Sequence, residues 1–359
     1  MGKRDIGLIM AGGRGARFWP YSIFEKPKQF LNIVGTDSLI KQTFDRLSEF
    51  LSTEDIYIIA DNKYRDLTIK AVPDFNEENY IAEPSPKNTA PCLIMANIVM
   101  ADRDENSNVL VVPADHFIPD KDIFAKEMKN ALLMADEKYI ITSGIKPDSP
   151  HTGYGYIKFD ISENTEINGT VFYDVDGFKE KPSIDKAREY ISEENYFWNS
   201  GMFIYKLKYF KEFLKTYSPE YFKEYEKLEN SFNNKDKFHS IYNEIRPDSI
   251  DYVLMEKVKE VKMFGAGFEW NDVGSWSSVY ELNVKNENGN VSVGNSVFLN
   301  TENSMVYSTT DIPIALIGLD DIVVVNTKNG ILVSAKKDLQ SVKEVVKELA
   351  RRDGREKYR

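Results

Sequence analysis

The sequence predicts an α/β fold in which helices flank a Rossmann-like sheet that is mixed but mostly parallel. Two patterns support this prediction: continuous aliphatic runs, which are typical of buried strands, and segments of helical apolar spacing that alternate with them. The predicted strands are 6–10, 56–60, 109–112 and 139–142, and the predicted helices are 38–51, 88–104 and 122–136. In sheets of this kind, ligands bind beyond the carboxyl ends of the strands.

The pattern changes in the middle of the chain. Residues 150–205 contain short strand-like runs rich in Gly, Asn and Tyr with acidic turns, and an aromatic helical stretch follows to about residue 228. We expect this part to elaborate the first domain, 1–282. The polar stretch 283–295 then marks the boundary of a second domain, 283–359.

The second domain is predicted to be small and rich in β-structure. Its strand-like runs are 296–300, 305–308, 314–318, 322–326 and 331–335, and Asn329-Gly330 marks a turn. Short strands at near-regular spacing suit a small β-helix or a meander.

A final helix is predicted from about Asp338. Its apolar residues Leu339, Val342, Val346 and Leu349 lie on one face at helical spacing. This stripe either covers the small β unit or packs against a second subunit, and spacing alone favours the first alternative.

Composition excludes several classes of function. A net charge of −11 argues against nucleic-acid binding, so an anionic ligand must be held by a local cluster of cations. The single cysteine, Cys92, is expected to be a buried small side chain and suits a reducing cytoplasm. No apolar run approaches the roughly 18 residues of a membrane span, so we expect no membrane association. The three histidines are scattered, which disfavours a His-rich metal site or a Ser-His-Asp triad.

A glycine- and arginine-rich loop follows the first predicted strand. Glycines let a backbone approach a ligand closely, and exposed N–H groups in such a loop form a cradle for an anion. The glycines are Gly12, Gly13 and Gly15, and the nearby cations are Arg14, Arg17, Lys26 and Lys28. Together they predict a loop that binds a nucleoside triphosphate, although the glycine pattern alone fits a tight turn equally well.

Two better-known phosphate motifs do not fit this loop. A Walker A loop requires a GK[ST] ending, which does not follow Gly15, and a dinucleotide fingerprint requires a third glycine where Phe18 stands. The downstream segment PKQFL distinguishes the loop from both, because Lys28 in that segment could reach the same phosphates.

Two aspartates are candidates for a metal site. Asp115 directly follows the strand-like run VLVVP, at the edge where ligands bind, and a carboxylate there suits Mg²⁺, although it could instead cap the next helix. Asp272 lies in EWNDVGSW, where the tryptophans indicate a packed, rigid loop. The two carboxylates could share one ion, but the sequence does not show that they meet.

The order of motifs along the chain resembles the mannose-1-phosphate guanylyltransferases, a branch of the sugar-1-phosphate nucleotidylyltransferase family. The motifs are GGRGARFWP, PKQFL, AEPSPKNTAP, PADHFI, TGYGYI, GFKEKP, WNSGMFIY and WNDVGSW, which together run from residue 12 to 276. This resemblance covers about three quarters of the chain, and the combination of motifs is highly specific.

The resemblance implies a role for each matching residue. Asp115 and Asp272 would hold the Mg²⁺ cofactor, and Arg17, Lys28 and Asp115 would be catalytic. The nucleotide-binding residues would be Ala11, Gly12, Gly13, Gly15, Glu83, Asn88 and Thr89, and the sugar-phosphate-binding residues would be Tyr154, Gly155, Glu180, Lys181 and Asn199. A carboxylate such as Glu83 suits the adjacent N–H donors of guanine. Without the resemblance, Glu83 would fit a surface charge better, and Lys181 would fit a solvated lysine better.

The implied reaction is attack of the 1-phosphate oxygen of mannose on the α-phosphorus of GTP, which gives GDP-mannose and pyrophosphate. No general base is needed, because a phosphate monoester with a second pKa of about 6 is already ionised near neutral pH. The resemblance also implies a left-handed β-helix in the C-terminal region, with a final helix that helps to form a homodimer. It therefore shifts the interpretation of the Leu339–Leu349 stripe toward a dimer interface. The alternatives are another nucleotide or another hexose 1-phosphate, chiefly glucose, and a non-catalytic nucleotide-sugar sensor.

Overall fold

The computed structural model describes residues 4–352, which form two compact units. The first unit contains residues 4–12, 43–114 and 118–270, and the second contains residues 13–42, 115–117 and 271–352. Each unit is therefore assembled from separate segments, whereas the predicted domains are continuous ranges. The predicted boundary at residue 283 stays a prediction.

The first unit is built around nine strands. They are β1 (Asp5–Met10), β2 (Ile56–Asp61), β3 (Tyr80–Glu83), β4 (Asn108–Pro113), β5 (Ile140–Ile145), β6 (Tyr156–Ile167), β7 (Thr170–Lys179), β8 (Tyr196–Lys206) and β9 (Val261–Gly265). The predicted strands correspond to β1, β2, β4 and β5.

Eight α-helices accompany these strands. They are α1 (Leu39–Ser48), which has residues in both units, α2 (Arg65–Ala71), α3 (Thr89–Asp104), α4 (Lys121–Met134), α5 (Ile184–Ile191), α6 (Leu207–Tyr217), α7 (Pro219–Glu229) and α8 (Lys235–Glu244). A short π-helix spans Asp251–Met255. The three predicted helices correspond to α1, α3 and α4.

All nine strands belong to one sheet with the order β3-β2-β1-β4-β8-β5-β9-β7-β6. The pairs β1–β2, β1–β4, β2–β3 and β5–β9 are parallel. β8 lies antiparallel between β4 and β5, and β7 is antiparallel to β6 and β9. Only β7 and β8 therefore run against the other strands of this sheet, which confirms the prediction of a mixed, mostly parallel sheet.

The core of this unit forms where α3 and α6 pack on the sheet. Leu93 and Ile94 of α3 and Phe210 and Phe213 of α6 are almost fully buried in one apolar cluster with sheet residues. Cys92 lies in the same cluster, as expected for a small buried side chain, and burial raises the pKa of its thiol well above the ordinary value.

The middle of the chain differs from the prediction of short strands. β6 has 12 residues, β7 has 10 and β8 has 11, and β6 and β7 form a long hairpin. The hairpin extends beyond the buried part of the sheet, because residues 161–166 of β6 are exposed. Polar residues are tolerated at such exposed strand positions. The full length of the strand could therefore not be predicted from aliphatic runs in the sequence.

The second unit contains a β-helix. Its strands are β10 (Val291–Val293), β11 (Ser296–Leu299), β12 (Met305–Ser308), β13 (Ile314–Ile317), β14 (Ile322–Thr327) and β15 (Gly330–Ala335), and its helices are α9 (Trp276–Leu282) and α10 (Val342–Arg351). β10, β12 and β14 pair in parallel, as do β11 and β13, so successive turns of chain stack on one another. This confirms the β-helix alternative, and its left-handed twist stays a prediction.

The sequence analysis predicted no strand within the polar stretch 283–295, but β10 lies there. A strand of three residues between Asn and Gly is too short to produce an alternating pattern, and pairing with β12 stabilises it instead. A 3₁₀ helix, Lys336–Ser341, precedes α10.

The apolar stripe of the terminal helix packs within its own unit. Leu339 and Val342 are almost fully buried in one cluster with residues of β12 and β14, and Val346 and Leu349 pack against the same cluster. The stripe therefore covers the β unit, as its spacing indicates, and Leu339 and Val342 are fully used in that packing. A dimer contact through the half-buried Val346 and Leu349 stays a prediction. Within residues 4–352, no helix combines the length and apolar character needed to cross a membrane.

Candidate active site

The two segments that begin the site follow β1 and β4 along the chain. These neighbouring strands are parallel, and Met10 at the end of β1 pairs with Pro113 at the end of β4. The glycine-rich loop follows β1 along the chain, and Asp115 follows β4.

Gly15 fixes the course of the glycine-rich loop. It has a left-handed φ of 63° and precedes the 3₁₀ helix Ala16–Phe18. A Cβ atom at this position would lie 2.4 Å from the Cβ atom of Lys28, so only glycine fits. The hydroxyl of Ser22 donates a hydrogen bond of 2.8 Å to the backbone oxygen of Arg14 and holds the loop from its far side.

Lys28 connects three segments of the second unit that are distant in sequence. Its side chain is only 7% exposed, and its ammonium donates to Asp115 Oδ2 at 2.8 Å and to the backbone oxygen of Asp272 at 2.7 Å. The structure therefore brings together the lysine and the two aspartates that the sequence predicted.

Asp272 lies in a constrained loop, as expected. Val273 adopts a left-handed φ of 46°, which is unusual for a β-branched residue, and its N–H donates to Asn271 Oδ1 at 2.7 Å. Trp276 is fully buried, and its indole N–H donates to the backbone oxygen of Trp19 at 3.2 Å. Backbone strain of this kind persists where the surrounding packing enforces it, commonly at functional sites.

These residues line one pocket. Its walls consist of Gly15, Ala16, Arg17, Phe18, Lys28, Asp115, His116, Asp272, Gly274 and Lys343. Arg17 is exposed in this pocket, whereas Lys28 is buried. All of the predicted catalytic and metal-binding side chains therefore share one cavity of the second unit.

The charge state of Asp115 is set by opposing effects. Burial alone would raise the pKa of this carboxyl, but the adjacent Lys28 ammonium and His116 outweigh it and hold the pKa below its ordinary value. Asp115 is consequently ionised at neutral pH and available to a cation.

The two carboxylates of this pocket suit a metal ion that binds together with the phosphates of a substrate. Among the described side chains, no group of three or more His, Cys, Asp or Glu residues is arranged to hold a metal ion. Two carboxylates with substrate phosphates and water are a common ligand set for Mg²⁺, whereas structural zinc requires four protein ligands.

The predicted base-recognition residues lie in the first unit and are tied to its framework. Glu83, at the end of β3, is 3% exposed and accepts hydrogen bonds from the Tyr242 hydroxyl and the Lys87 N–H. Asn88 caps α3 with a φ of 69°, and the Thr89 hydroxyl accepts from the Ile250 N–H at 2.8 Å. The alternative of a surface charge at Glu83 is therefore wrong, and burial raises the pKa of this carboxyl. Recognition of a base here stays a prediction.

Two other predicted nucleotide-binding residues differ in accessibility. Ala11 is almost fully buried and its N–H donates to the backbone oxygen of Ile59 at 2.9 Å, whereas Gly12 is exposed. The Ala11 N–H thus has a partner within the sheet, and the following glycines present the accessible backbone of the loop.

The five predicted sugar-phosphate residues form one cluster in the first unit. The Asn199 N–H donates to the backbone oxygen of Gly155 at 2.8 Å, and the Lys181 N–H donates to that of Tyr154 at 3.2 Å. The Lys181 ammonium pairs with the Glu180 carboxylate, while 57% of the Lys181 side chain is exposed, so this lysine is both paired and solvated. A Cβ atom on Gly155 would lie 2.6 Å from Glu180 Oε2, so glycine is needed to leave room for that carboxylate.

Asp251 joins this cluster, and the sequence analysis missed it. It accepts hydrogen bonds from the Asn199 side-chain amide at 3.2 Å and from the Ser249 hydroxyl. Burial raises the pKa of Asp251 and of Glu180, and the charge of Asp251 raises the pKa of Glu180 further. Neighbouring carboxyls with raised pKa values are typical of functional sites. In the sequence, the one feature that could have pointed to Asp251 is its position as an acidic residue directly before the apolar run 252–255.

Aromatic rings line one side of the same cluster. The Tyr154 ring stacks on His151 with centroids 4.0 Å apart, and it meets the edges of Trp198 and Trp270 at 5.0 and 5.5 Å. These contacts fix the orientation of Tyr154 beside Gly155.

Comparisons with known proteins show which family the chain resembles. Residues 6–289 match the family described as nucleotidyl transferase, and residues 294–349 match the MannoseP isomerase/GMP-like β-helix domain. A mannose-1-phosphate guanylyltransferase from Escherichia coli is 35% identical over 96% of this chain and 75% of its own length. One from Salmonella typhimurium is 36% identical over 97% of this chain and 73% of its own length.

A solved structure shows the same fold. The structure described as a mannose-1-phosphate geranyltransferase from Thermus thermophilus superposes with a TM-score of 0.86 at 29% identity. The match covers 96% of this chain and 99% of that one, so it includes both the large sheet and the β-helix.

Proposed function

The chain belongs to the mannose-1-phosphate guanylyltransferase family of nucleotidyl transferases, and on that premise we propose that it transfers GMP from GTP to α-D-mannose 1-phosphate. The products are GDP-mannose and pyrophosphate. The observation that supports this proposal best is the Lys28 ammonium, which joins Asp115 to the Asp272 loop in the pocket that Arg17 also lines.

Bond making and bond breaking occur at the α-phosphorus of the nucleotide. An oxygen of the sugar 1-phosphate forms a new P–O bond there, and the bond to the β-phosphate oxygen breaks with its electron pair leaving on pyrophosphate. The attacking oxygen is already ionised near neutral pH, since its second pKa is about 6, so no side chain needs to accept a proton.

The residues of the chain act by orienting the substrates and offsetting their charge. Arg17 is exposed and can donate two parallel hydrogen bonds to phosphate oxygens, while buried Lys28 supplies a fixed positive charge. Mg²⁺ held by Asp115 and Asp272 would neutralise charge that develops on the phosphates. In the first unit, Glu180 and Asn199 would bind sugar hydroxyls, and Lys181 would bind the sugar phosphate.

The identities of the two substrates are tested by a crossed assay of pyrophosphate release. We expect GTP with mannose 1-phosphate to give a kcat/KM at least about 10-fold above ATP with mannose 1-phosphate or GTP with glucose 1-phosphate, because one good polar contact is worth a factor of this size. A higher value for another pair would reassign the substrate. Absence of release with every pair would support a non-catalytic sensor.

Gly155 provides a test of the sugar-phosphate cluster. We expect Gly155→Ala to raise KM for mannose 1-phosphate about 10-fold with little change in KM for GTP, because the new Cβ would displace the Glu180 carboxylate. Steady-state kinetics with each substrate varied in turn measures this. Gly177→Ala is the matched control, since its Cβ would meet its nearest neighbour, Lys158 Cβ, at 4.0 Å. Equal KM values for the two variants would contradict the assignment of the cluster.

A homodimer through the C-terminal region remains part of the proposal. Support comes from apolar side chains exposed on the β-helix: Leu299 of β11 and Ile317 of β13 lie side by side and are 53% and 64% exposed. Ile331 and Val333 of β15 are similarly exposed.

The cytoplasmic location stays a prediction from the sequence.

We expect light scattering at micromolar concentration to give twice the mass of one chain. Leu299→Asp with Ile317→Asp should give the mass of one chain, because two charges on a buried interface are costly to desolvate. A wild-type mass equal to one chain would contradict the dimer.

A further inference from the structure

Lys343, on the terminal helix, lines the same pocket as Arg17, Lys28, Asp115 and Asp272. It is the second residue of α10, so the helix that closes the β-helix supplies a cation to the candidate active site. The motifs of the catalytic region end at residue 276, and nothing in the sequence pattern distinguishes Lys343 from the other lysines of the C-terminal segment.

The position of Lys343 is fixed by its neighbours. Val342 and Leu339 are 2% and 1% exposed in the apolar cluster that also contains Phe18. α10 packs against the 3₁₀ helix Ala16–Phe18, which carries Arg17. The start of the helix therefore cannot move away from the phosphate loop without opening a packed core.

The charge of Lys343 is available to a ligand. The ammonium of Lys28 is already engaged by Asp115 and by the backbone of Asp272. Lys343 is exposed, and it forms no ion pair with the part of the chain that the structure describes. An exposed lysine at the rim of an anion pocket can bind phosphate without first breaking a salt bridge.

Lys343 also adds one positive charge to the pocket. Besides His116, the ionisable lining residues are Arg17, Lys28 and Lys343 against Asp115 and Asp272. Lys343 therefore raises the net charge of this lining by one, in a chain whose net charge is −11. A ligand with several negative charges therefore depends on this residue more than on an ordinary surface lysine.

We propose that Lys343 is a phosphate-binding residue that contacts the terminal phosphates of the nucleotide, the part that leaves as pyrophosphate. This inference rests on the proposed function. Lys28 is buried and paired with Asp115, whereas Lys343 is exposed and forms no ion pair with the described residues, so its charge can offset that of the more highly charged β- and γ-phosphates. When the α–β bond breaks, the electron pair leaves on pyrophosphate, and Lys343 offsets part of that charge.

Binding of inorganic pyrophosphate in the presence of Mg²⁺, measured by calorimetry, tests this directly. Lys343→Met should weaken binding about 10-fold, as expected for loss of one charge-assisted hydrogen bond, and Lys343→Arg should restore most of it. Lys347→Met is the matched control: it lies one turn along the same helix, pairs with Glu344 at 3.0 Å and does not line the pocket. We expect this control to bind pyrophosphate as the wild type does.

Kinetics adds a readout that a purely structural role would not reproduce. Lys343→Met should raise KM for GTP and leave KM for mannose 1-phosphate unchanged, with a melting temperature equal to that of Lys347→Met. Equal pyrophosphate affinity in these two variants, no binding by the wild type, or no recovery in Lys343→Arg would each overturn the proposal. If pyrophosphate binding shows the expected loss but no substrate pair reacts, the proposed function fails and the role of Lys343 in phosphate binding stands.

Discussion

Asparagine in place of Asp115 or Asp272 lowers kcat by at least about 10²-fold, because each substitution removes one carboxylate of the pair that would hold Mg²⁺. Both side chains line the pocket that contains Lys28, so removal of either carboxylate would weaken metal binding at the same site. The fold should persist, since an amide keeps the shape of the carboxylate. At residue 115 the amide oxygen can still accept from Lys28, and at residue 272 Lys28 donates to the backbone oxygen, which the substitution leaves in place. Initial rates across a Mg²⁺ titration, together with circular dichroism, measure both effects.

Asp320→Asn serves as the control for these two variants. Asp320 is an exposed aspartate of the second unit and does not line the pocket. It should keep wild-type rates at every Mg²⁺ concentration. Near-wild-type activity of Asp115→Asn or Asp272→Asn at limiting Mg²⁺ would remove that residue from the metal site.

Alanine in place of Gly15 destabilises the second unit and lowers turnover. The new Cβ would lie 2.4 Å from Lys28 Cβ at a left-handed φ of 63°. Left-handed strain of about 1–2 kcal/mol adds to an overpacking cost of about 1–3 kcal/mol, so the free energy of unfolding should fall by about 3 kcal/mol. Thermal or denaturant unfolding followed by circular dichroism measures this change, and the remaining folded protein should show reduced turnover because Lys28 is displaced.

Gly12→Ala is the control, because it shows whether alanine at any glycine of this loop lowers the free energy of unfolding or only alanine at Gly15 does. Gly12 lacks a left-handed φ, and none of the described atoms lies within 4 Å of a Cβ built on it. Its free energy of unfolding should stay within about 0.5 kcal/mol of the wild type, as for most exposed substitutions. Equal unfolding transitions for Gly12→Ala and Gly15→Ala would show that the close packing of Gly15 on Lys28 does not constrain the fold.

The sequence predicted the parts of the fold that local patterns encode. The aliphatic runs of β1, β2, β4 and β5 indicated buried strands, and the regular short runs after residue 295 indicated a small β-helix or a meander, of which the structure shows the first. Strand order is not a local property, so the insertion of antiparallel β8 between β4 and β5 could not be derived from the sequence. β10 was missed for a related reason, because a strand of three residues is defined by its partner.

The candidate site divides in the same way. Asp115 and Asp272 could be selected because each stands in a distinctive motif, and the structure shows that Lys28 links their segments. Asp251 and Lys343 stand in ordinary sequence, and only the packing of α10 and the hydrogen bond from Asn199 reveal them. Charge in a folded site depends on which elements meet, and spacing along the chain does not contain that information.

The central claim is that the pocket lined by Arg17, Lys28, Asp115 and Asp272 holds the phosphates of the reacting nucleotide. A crystal structure with GDP-mannose, pyrophosphate and Mg²⁺ tests it most directly. The account predicts the metal between Asp115 and Asp272, the α-phosphate beside Lys28 and Arg17, and pyrophosphate at Lys343. Phosphates bound away from the Gly15 loop, or a metal that contacts neither aspartate, would contradict the account.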